Sequence, residues 1–433
     1  MTAIVRAQVA HTPRDPFLHD DALELFASGA VAFDDGRILA TGSFSDVRVQ
    51  HPEAQVIDAH DSILLPGFVD CHVHYPQIAV IGAMGLELLD WLRTRTLPEE
   101  AKLADDAHAA ATARTFVRAL ACNGTTTALV FGSHFPSAQE ALFTAAEESG
   151  LRVTSGLVIS DRNLLPELET TPDSAFGASR ALMARWHGRG RLRYAVTPRF
   201  SVSCSEEMLE VCRALQDEAE GLLFTSHINE NRGEIEFVTE LFPWAGDYLE
   251  TYERFGLVHG RSVLAHDVHA TDGELSRLAS ADASIAHCPS SNAFLGSGVF
   301  PMRRHLEHGV RFALGTDVGA GTGLSLLKEG LTAYQMQMAW PGGQRIKPAH
   351  LLYLATRAGA QALSLEDEVG DLSPGKSADF VLVSPPEGGT LHAVLQHSPS
   401  LEATLGALFT LAREESIAEV RVAGEPVWVS QMC

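Results

Sequence analysis

Two histidines two residues apart, His72 and His74, end an apolar segment that begins at Pro66. If this segment is a β-strand, its period of two places both imidazoles on the same side, where they can hold one cation. The motif is therefore the first half of a candidate metal site. A His-x-His pair alone is more often two ordinary polar side chains at a strand end, so other residues must support this interpretation.

Metal-competent residues also end four later apolar segments. They are His227, His266, His287 and Asp317. Nitrogen and oxygen ligands without thiolates favour Zn²⁺ or Fe²⁺, with one position left for water. Glu230 follows His227 by three residues, where it can reach a substrate rather than the metal and carry a proton.

Eight short apolar segments separated by helix-like stretches must position these residues. Eight β/α units predict a closed (β/α)₈ barrel, an α/β fold whose sites lie at the C-terminal ends of its strands. Side chains far apart in sequence then meet at one mouth of the barrel. The predicted strands are 62–69, 125–131, 151–159, 192–200, 221–227, 262–266, 283–287 and 310–317, and helices are predicted over 105–121 and 205–218.

Both ends of the chain have β-type patterns outside the barrel. Alternating or β-rich segments occupy 3–9, 29–42, 378–383 and 418–429, and turn signals occur at 35–36 and 423–424. We predict a composite β-sandwich domain from residues 1–64 and 372–433, around a barrel formed by residues 65–371.

Composition excludes several classes of partner. The 433 residues carry a net charge of −23, which repels nucleic acid and anionic lipid surfaces. The six cysteines include no CxxC pair, so neither a disulfide framework nor a thiolate zinc site is predicted. With no signal peptide and no apolar segment of about 18 residues, we expect a cytoplasmic protein without a membrane partner.

These motifs together resemble the amidohydrolase superfamily in its mononuclear branch, and more narrowly the family of guanine deaminases. The resemblance runs from PGFVDCHVH at 66–74 through GTD at 315–317 to SPGKSAD at 373–379. The narrower likeness lies in HYPQ at 74–77, TPRFS at 197–201, HINEN at 227–231, AHCPSSN at 286–292 and GTDVGAG at 315–321. Cys71, before the first histidine, and Asp267, after His266, depart from the usual family pattern.

The resemblance implies roles for individual residues. The implied metal ligands are His72, His74, His227 and Asp317, with His266 either a further ligand or a hydrogen-bond partner of the water. His269 is a less favoured rival for the position of His266. Glu230, Asp317 and His266 are the implied catalytic residues, and the implied substrate contacts are Gln77, Arg199, Phe200, His227 and Glu230.

The resemblance also implies a reaction, the hydrolysis of guanine at C2 to xanthine and ammonia. Arg199 suits the O6 acceptor, and the Gln77 carboxamide can accept and donate on the same edge, whereas the amine of adenine would oppose Arg199. The alternatives are another aminohydrolase of the superfamily, acting on a triazine, pterin or adenosine-type substrate, and a catalytically inactive scaffold barrel.

One divalent ion is expected, with Zn²⁺ favoured over Fe²⁺. Binuclear relatives bridge two metals with a carboxylated lysine on a barrel strand. The single lysine between His74 and His227 is Lys102, which lies in an acidic helix-like segment. A homodimer is expected by analogy with relatives.

Overall fold

The computed structural model describes residues 1–430, so the last three residues of the predicted span 372–433 lie outside it. The strands in chain order are β1 Ala3–His11, β2 Glu24–Asp34, β3 Arg37–Ser43, β4 Gln55–Pro66, β5 Phe68–His74, β6 Thr125–Phe131, β7 Arg152–Gly156, β8 Val158–Ile159, β9 Leu192–Pro198, β10 Leu223–Ile228, β11 Ser262–His266, β12 Ser284–His287, β13 Arg311–Leu314, β14 Phe380–Val383, β15 Ile417–Val422 and β16 Glu425–Val429.

The α-helices in chain order are α1 Phe44–Gln50, α2 Leu88–Trp91, α3 Leu97–Ala101, α4 Asp106–Cys122, α5 Pro136–Ser149, α6 Pro172–Trp186, α7 Glu206–Gln216, α8 Arg232–Leu241, α9 Glu250–Glu253, α10 Asp272–Ser280, α11 Pro289–Phe294, α12 Met302–His308, α13 Leu326–Ala339, α14 Pro348–Ala355, α15 Arg357–Ala362, α16 Thr390–Gln396 and α17 Leu401–Leu411. A 3₁₀ helix at Tyr75–Val80 and a π-helical turn at Leu92–Thr96 flank the barrel mouth. None of the helices within residues 1–430 combines the length and apolarity needed to cross a bilayer.

Eight parallel strands form the barrel that the sequence predicts. Hydrogen-bonded neighbours follow the order β5, β6, β7, β9, β10, β11, β12, β13, and β8 pairs with β9. The barrel closes between β5 and the segment after β13, where the backbone N–H of Asp317 donates to the carbonyl of His72 (2.8 Å) and the N–H of His74 donates to that of Val318 (2.9 Å). Closure therefore brings Asp317 beside the His-x-His pair.

The closing seam depends on a small residue and a buried acid. A Cβ atom at Gly315 would lie 2.9 Å from the Cβ of His72, so a larger residue would push the two segments apart. Buried Asp70 accepts hydrogen bonds from the backbone N–H of Thr316 (3.0 Å) and from its hydroxyl (2.6 Å). The Gly-Thr-Asp segment is thereby fixed against β5.

Most predicted elements are confirmed, with one displacement. The predicted first strand, 62–69, joins two elements, because residues up to Pro66 belong to β4 of a separate sheet and the barrel strand begins at Phe68. The predicted helices 105–121 and 205–218 correspond to α4 and α7. Ser205 caps α7, its hydroxyl accepting from the backbone N–H of Met208 at 3.1 Å.

Strands from both termini form one seven-stranded sheet, in the order β16, β15, β14, β4, β1, β2, β3. The sheet curls on itself, so that Phe33 of β2 packs against Phe380 of β14 with ring centroids 5.8 Å apart. The two halves of one sheet thus enclose a core, and the composite β domain is confirmed. The residue limits of the two domains stay a prediction.

Arg152, at the start of β7, joins this terminal sheet to the barrel. Its Nε donates to Asp379 (2.7 Å), and Nη2 donates to the hydroxyl of Ser377 (2.8 Å). These contacts lie at the N-terminal ends of the barrel strands, so the opposite mouth is left to the candidate site.

Candidate metal centre and substrate cavity

Four of the predicted ligands meet at the C-terminal mouth of the barrel. The ligand atoms of His72, His74, His227 and Asp317 all lie within 4.8 Å of one another. Nε2 of His74 is 3.0 Å from Nε2 of His72 and 3.3 Å from Nε2 of His227. Oδ1 of Asp317 is 3.2 Å from Nε2 of His72 and 3.2 Å from Nε2 of His74. Two donors held about 2.0–2.1 Å from a tetrahedral ion lie about 3.3 Å apart, so this donor set fits one small cation.

The protonation states also suit a cation. Nδ1 of His227 lies 2.6 Å from the carbonyl oxygen of Arg199, which places the proton on Nδ1 and leaves the Nε2 lone pair facing the cluster. Burial lowers the pKa of His74 to about 4 and also lowers those of His72 and His227, so the imidazoles are neutral, as ligands must be. Burial works to raise the pKa of Asp317, but its hydrogen bonds with His72 and His74 hold that pKa well below its usual value.

His266 lies beside this cluster at the end of β11. Its Nε2 is 3.4 Å from Oε2 of Glu230 and 3.8 Å from Oδ2 of Asp317, and it has no hydrogen-bond partner among residues 1–430. Its Nδ1 is 2.9 Å from the side-chain oxygen of Asn292, which places the proton on Nδ1. The free Nε2 lone pair can therefore take either predicted role, ligation of the metal or a hydrogen bond from water.

Glu230 lies in the same pocket and favours its protonated form. Burial raises the pKa of Glu230 to about 8, and the charge of Asp317 adds to the rise. The hydroxyl of Ser297 donates to its Oε1 at 3.2 Å, and its backbone N–H donates to Glu234 at 3.0 Å. The carboxyl group is thus held in place with a proton that it can deliver at neutral pH.

Two loops, after β10 and β11, aim these groups into the pocket through left-handed backbone. The φ angles are 48° at Asn229, 78° at His266 and 48° at Asp267, conformations that cost free energy in residues other than glycine. The side-chain amide of Asn229 donates to Oδ1 of Asp267 (3.0 Å), and Oδ2 of Asp267 is 2.9 Å from Nε2 of His305. Asp267, which departs from the usual family pattern, therefore connects the segment that carries Glu230 with the end of β11 that carries His266.

The cluster of predicted ligands forms one wall of a cavity at the barrel mouth. All of the predicted site residues except His72 line the cavity, and His72 is fully buried. The apolar part of the wall comes from Leu88, Trp91, Leu92, Leu295 and Ala320.

Glu100 of α3 supports the polar wall, and our sequence reasoning missed it. Its Oε1 accepts from Nε2 of Gln77 (2.7 Å), its Oε2 accepts from Nη1 of Arg199 (2.6 Å), and Nε2 of His134 lies 3.4 Å from Oε2. Burial works to raise the pKa of Glu100, but Arg199 and His134 hold it well below its usual value. One signal was available, because residues 97, 100 and 103 share a helical face on which the other two residues are buried leucines.

Other candidates lie outside the cavity. Nε2 of His269 is 2.9 Å from the carbonyl of Ser297, and His287 stacks on Phe300 at 4.3 Å. Lys102 is 60% exposed and pairs with Glu99, away from the barrel interior. A further residue that sequence reasoning missed is Phe131 at the end of β6, whose ring packs 4.7 Å from the rings of His74 and His227.

A parallel barrel with three imidazoles and a carboxylate at its mouth defines a metal-dependent hydrolase fold, and residues 63–427 match the family described as the amidohydrolase family. The chain belongs to the amidohydrolase family. Residues 29–54, which include β3 of the terminal sheet and α1 beside it, also match an imidazolonepropionase-like composite domain of bacteria.

Within the family, the chain is similar to guanine deaminases. It is 54% identical to a probable guanine deaminase of Deinococcus radiodurans over 99% of both chains. The solved guanine deaminase of Escherichia coli superposes with a TM-score of 0.95 at 36% identity, over 99% of both chains. A guanine deaminase structure from C. acetobutylicum with guanine bound in its active site gives a TM-score of 0.90 at 26% identity, over 99% of this chain and 100% of that one. The predicted fold and family resemblance are confirmed.

Proposed function

We propose that this chain hydrolyses guanine to xanthine and ammonia. The 54% identity to a probable guanine deaminase over nearly the whole chain supports the reaction. The observation that carries the proposal is the cavity itself, in which the hydrogen-bond donors Arg199 and Gln77 share a wall with the protonated carboxyl of Glu230 and the ligand cluster. Guanine matches this arrangement, because one edge of the purine can accept hydrogen bonds from the donors and its C2 atom can be attacked by water.

The fit of the donor set supports one divalent cation held by His72, His74, His227 and Asp317. When bound, such a cation lowers the pKa of a coordinated water towards about 7 and so supplies a nucleophile at neutral pH. We favour zinc because the donors are imidazoles and a carboxylate without thiolate, and Fe²⁺ is the alternative.

The protein's own groups then move the protons. Asp317 accepts a proton from the attacking water, and Nε2 of His266 orients that water. Glu230 protonates the ring nitrogen next to C2 as the C2–O bond forms. A second proton transfer to the exocyclic amine lets the C2–N bond break, so guanine and water become xanthine and ammonia.

Arg199, Gln77 and Phe200 provide recognition in this proposal. The guanidinium of Arg199 donates to O6 of guanine, and the Gln77 amide contacts the same edge. The ring of Phe200, which is 5% exposed, offers an apolar contact for the purine.

We also propose a cytoplasmic homodimer. The five cysteines within the described part of the chain are free thiols, as is usual in a reducing compartment. The dimer is proposed by analogy with relatives.

The proposed function is tested with the metal-loaded protein and four substrates in parallel, namely guanine, adenine, guanosine and a pterin. Ultraviolet absorbance follows the heterocycle, and a coupled assay follows ammonia. We expect guanine to be consumed with one ammonia released per xanthine formed. Turnover of another substrate with guanine untouched would refute the assignment.

A further inference from the structure

We infer that Glu100 is a positioning residue that fixes Gln77 and Arg199 as hydrogen-bond donors to the substrate, so that the cavity selects a 6-oxopurine over a 6-aminopurine. This inference deepens the proposed function and rests on it. Glu100 lies on α3, outside the barrel strands, and reaches the substrate only through Gln77 and Arg199.

One carboxylate holds both predicted substrate contacts. Glu100, Gln77 and Arg199 are each no more than 3% exposed. Each oxygen of Glu100 accepts from a different side chain, at 2.7 Å from Gln77 and 2.6 Å from Arg199. A buried carboxylate accepts hydrogen bonds and cannot donate them, so it fixes which atoms face it.

The same carboxylate fixes the orientation of the Gln77 amide. Its Nε2 donates to Glu100, while its Oε1 accepts from the backbone N–H of Gly319 at 3.0 Å. The opposite orientation would set a carbonyl oxygen against a carboxylate and an N–H against an N–H. The orientation of the amide is therefore fixed, with Oε1 held by Gly319 and the second N–H of Nε2 left to donate to a ligand.

The guanidinium of Arg199 carries donors and no acceptor. Gln77 and Arg199 therefore present N–H groups to a ligand, and the one acceptor atom of these two groups, Oε1 of Gln77, already accepts from Gly319. A 6-oxopurine presents two acceptors, O6 and N7, along one edge, whereas a 6-aminopurine replaces O6 with an amine donor. A donor facing buried donors leaves groups unpaired, and sites built to pair such groups reject the mismatched analogue strongly.

Glutamine at position 100 would break this arrangement without changing its shape. An amide has one acceptor oxygen and one NH₂ group, so it cannot accept from both neighbours through its two ends. Either Gln77 reverses its amide or Arg199 loses its partner. In both cases Gln77 and Arg199 are no longer both held as hydrogen-bond donors to the ligand.

The test compares hypoxanthine with adenine, which differ at C6. Their competitive inhibition constants against guanine turnover are measured for the metal-loaded wild type, Glu100→Gln and Glu99→Gln. Glu99 is a matched control because it neighbours Glu100 on α3 but pairs with exposed Lys102. We expect wild type to bind hypoxanthine at least about 100-fold more tightly than adenine. Glu100→Gln should lower this ratio by about tenfold or more, Glu99→Gln should leave it unchanged, and Glu100→Asp should restore part of it.

The outcomes separate this inference from the proposed function. If wild type releases ammonia from guanine but Glu100→Gln keeps the wild-type ratio, the positioning role is wrong and the proposed function stands. If wild type does not act on guanine, the proposed function fails. Calorimetry then still measures the affinities for hypoxanthine and adenine, and so tests the selectivity that Glu100 is inferred to provide. Equal affinity of wild type for hypoxanthine and adenine overturns the inference even if Glu100→Gln does not fold. Metal content and near-ultraviolet circular dichroism report whether each variant is intact.

Discussion

The proposed proton transfer by Glu230 can be tested with a substitution that keeps the shape of the side chain but removes its acidic proton. Glu230→Gln leaves the four ligands untouched, so it should retain the metal but lower guanine turnover by about 10²–10⁴-fold, the usual contribution of a positioned proton carrier. Ammonia release and metal content are measured on the same preparation. Glu236→Gln, on the exposed face of α8, is the control and should behave as wild type. Near-normal ammonia release from Glu230→Gln would exclude it from proton transfer.

The environment of Glu230 also predicts a pH dependence. Because burial raises the pKa of Glu230 to about 8, the active acid form is present below that pH and is lost above it. The kcat/KM for guanine should therefore fall as pH rises through about 8. Rates measured between about pH 6 and 10 test this, and a profile that stays flat through that range would contradict the assignment.

At the residue scale, the sequence predicted the metal-competent groups at the ends of barrel strands and missed two other residues. His227 and Asp317 follow apolar segments, so barrel geometry alone indicates that they converge. Glu100 lies on α3, outside the barrel strands, and Phe131 ends a predicted strand but has an apolar side chain that indicates only a core position. Their roles depend on which side chains lie against them after folding, such as Arg199 beside Glu100, and a single sequence does not contain that pairing.

At the element scale, the segments after β10 and β11 are joined by backbone hydrogen bonds and by the side chain of Asp267. Asp267→Ala would leave Nε2 of buried His305 without its partner and would remove one of the two acceptors of the Asn229 amide, the other being Glu274, at a cost of about 1–3 kcal/mol in the free energy of unfolding. It should also lower kcat, because the segments that carry Glu230 and His266 lose one of the hydrogen bonds that join them.

Urea unfolding and guanine turnover test this prediction together. Asp61→Ala provides the control, since that side chain is 88% exposed and its loss should change stability by no more than about 0.5 kcal/mol. If Asp267→Ala matches the control in both measurements, the link between the loops has no energetic role.

The sequence predicts the boundary of an element where the hydrophobic pattern changes, but not where one apolar pattern continues across two elements. The segment 62–69 is apolar throughout, because β4 is buried in the terminal sheet near its end and β5 is buried in the barrel. Hydrophobicity alone cannot show that Pro66 and Gly67 separate two sheets. The curl of the terminal sheet, which brings Phe33 onto Phe380, likewise arises from strand order rather than from any local pattern.

At the scale of the whole molecule, we predict about one equivalent of metal per chain. The possible ligands within residues 1–430 form two groups, one of His72, His74, His227 and Asp317 and the other of His266, Cys288 and Asp317. The two groups share Asp317 and so describe one site. Lys102 is 60% exposed and pairs with Glu99, so it is not placed to bridge a second ion. Elemental analysis of the purified protein measures the stoichiometry. His74→Ala should lose the metal, whereas His269→Ala should keep it because its imidazole bonds a carbonyl outside the cavity. Two tightly held ions per chain would contradict the prediction.

The seam between β5 and the Gly-Thr-Asp segment has a consequence for biosynthesis. The pairing that places Asp317 against His72 joins parts of the chain separated by more than half of its length. A nascent chain that has not yet reached Asp317 lacks one of the four predicted ligands, even if its earlier strands have folded. We therefore expect the ion to bind only after the last barrel strand has been translated.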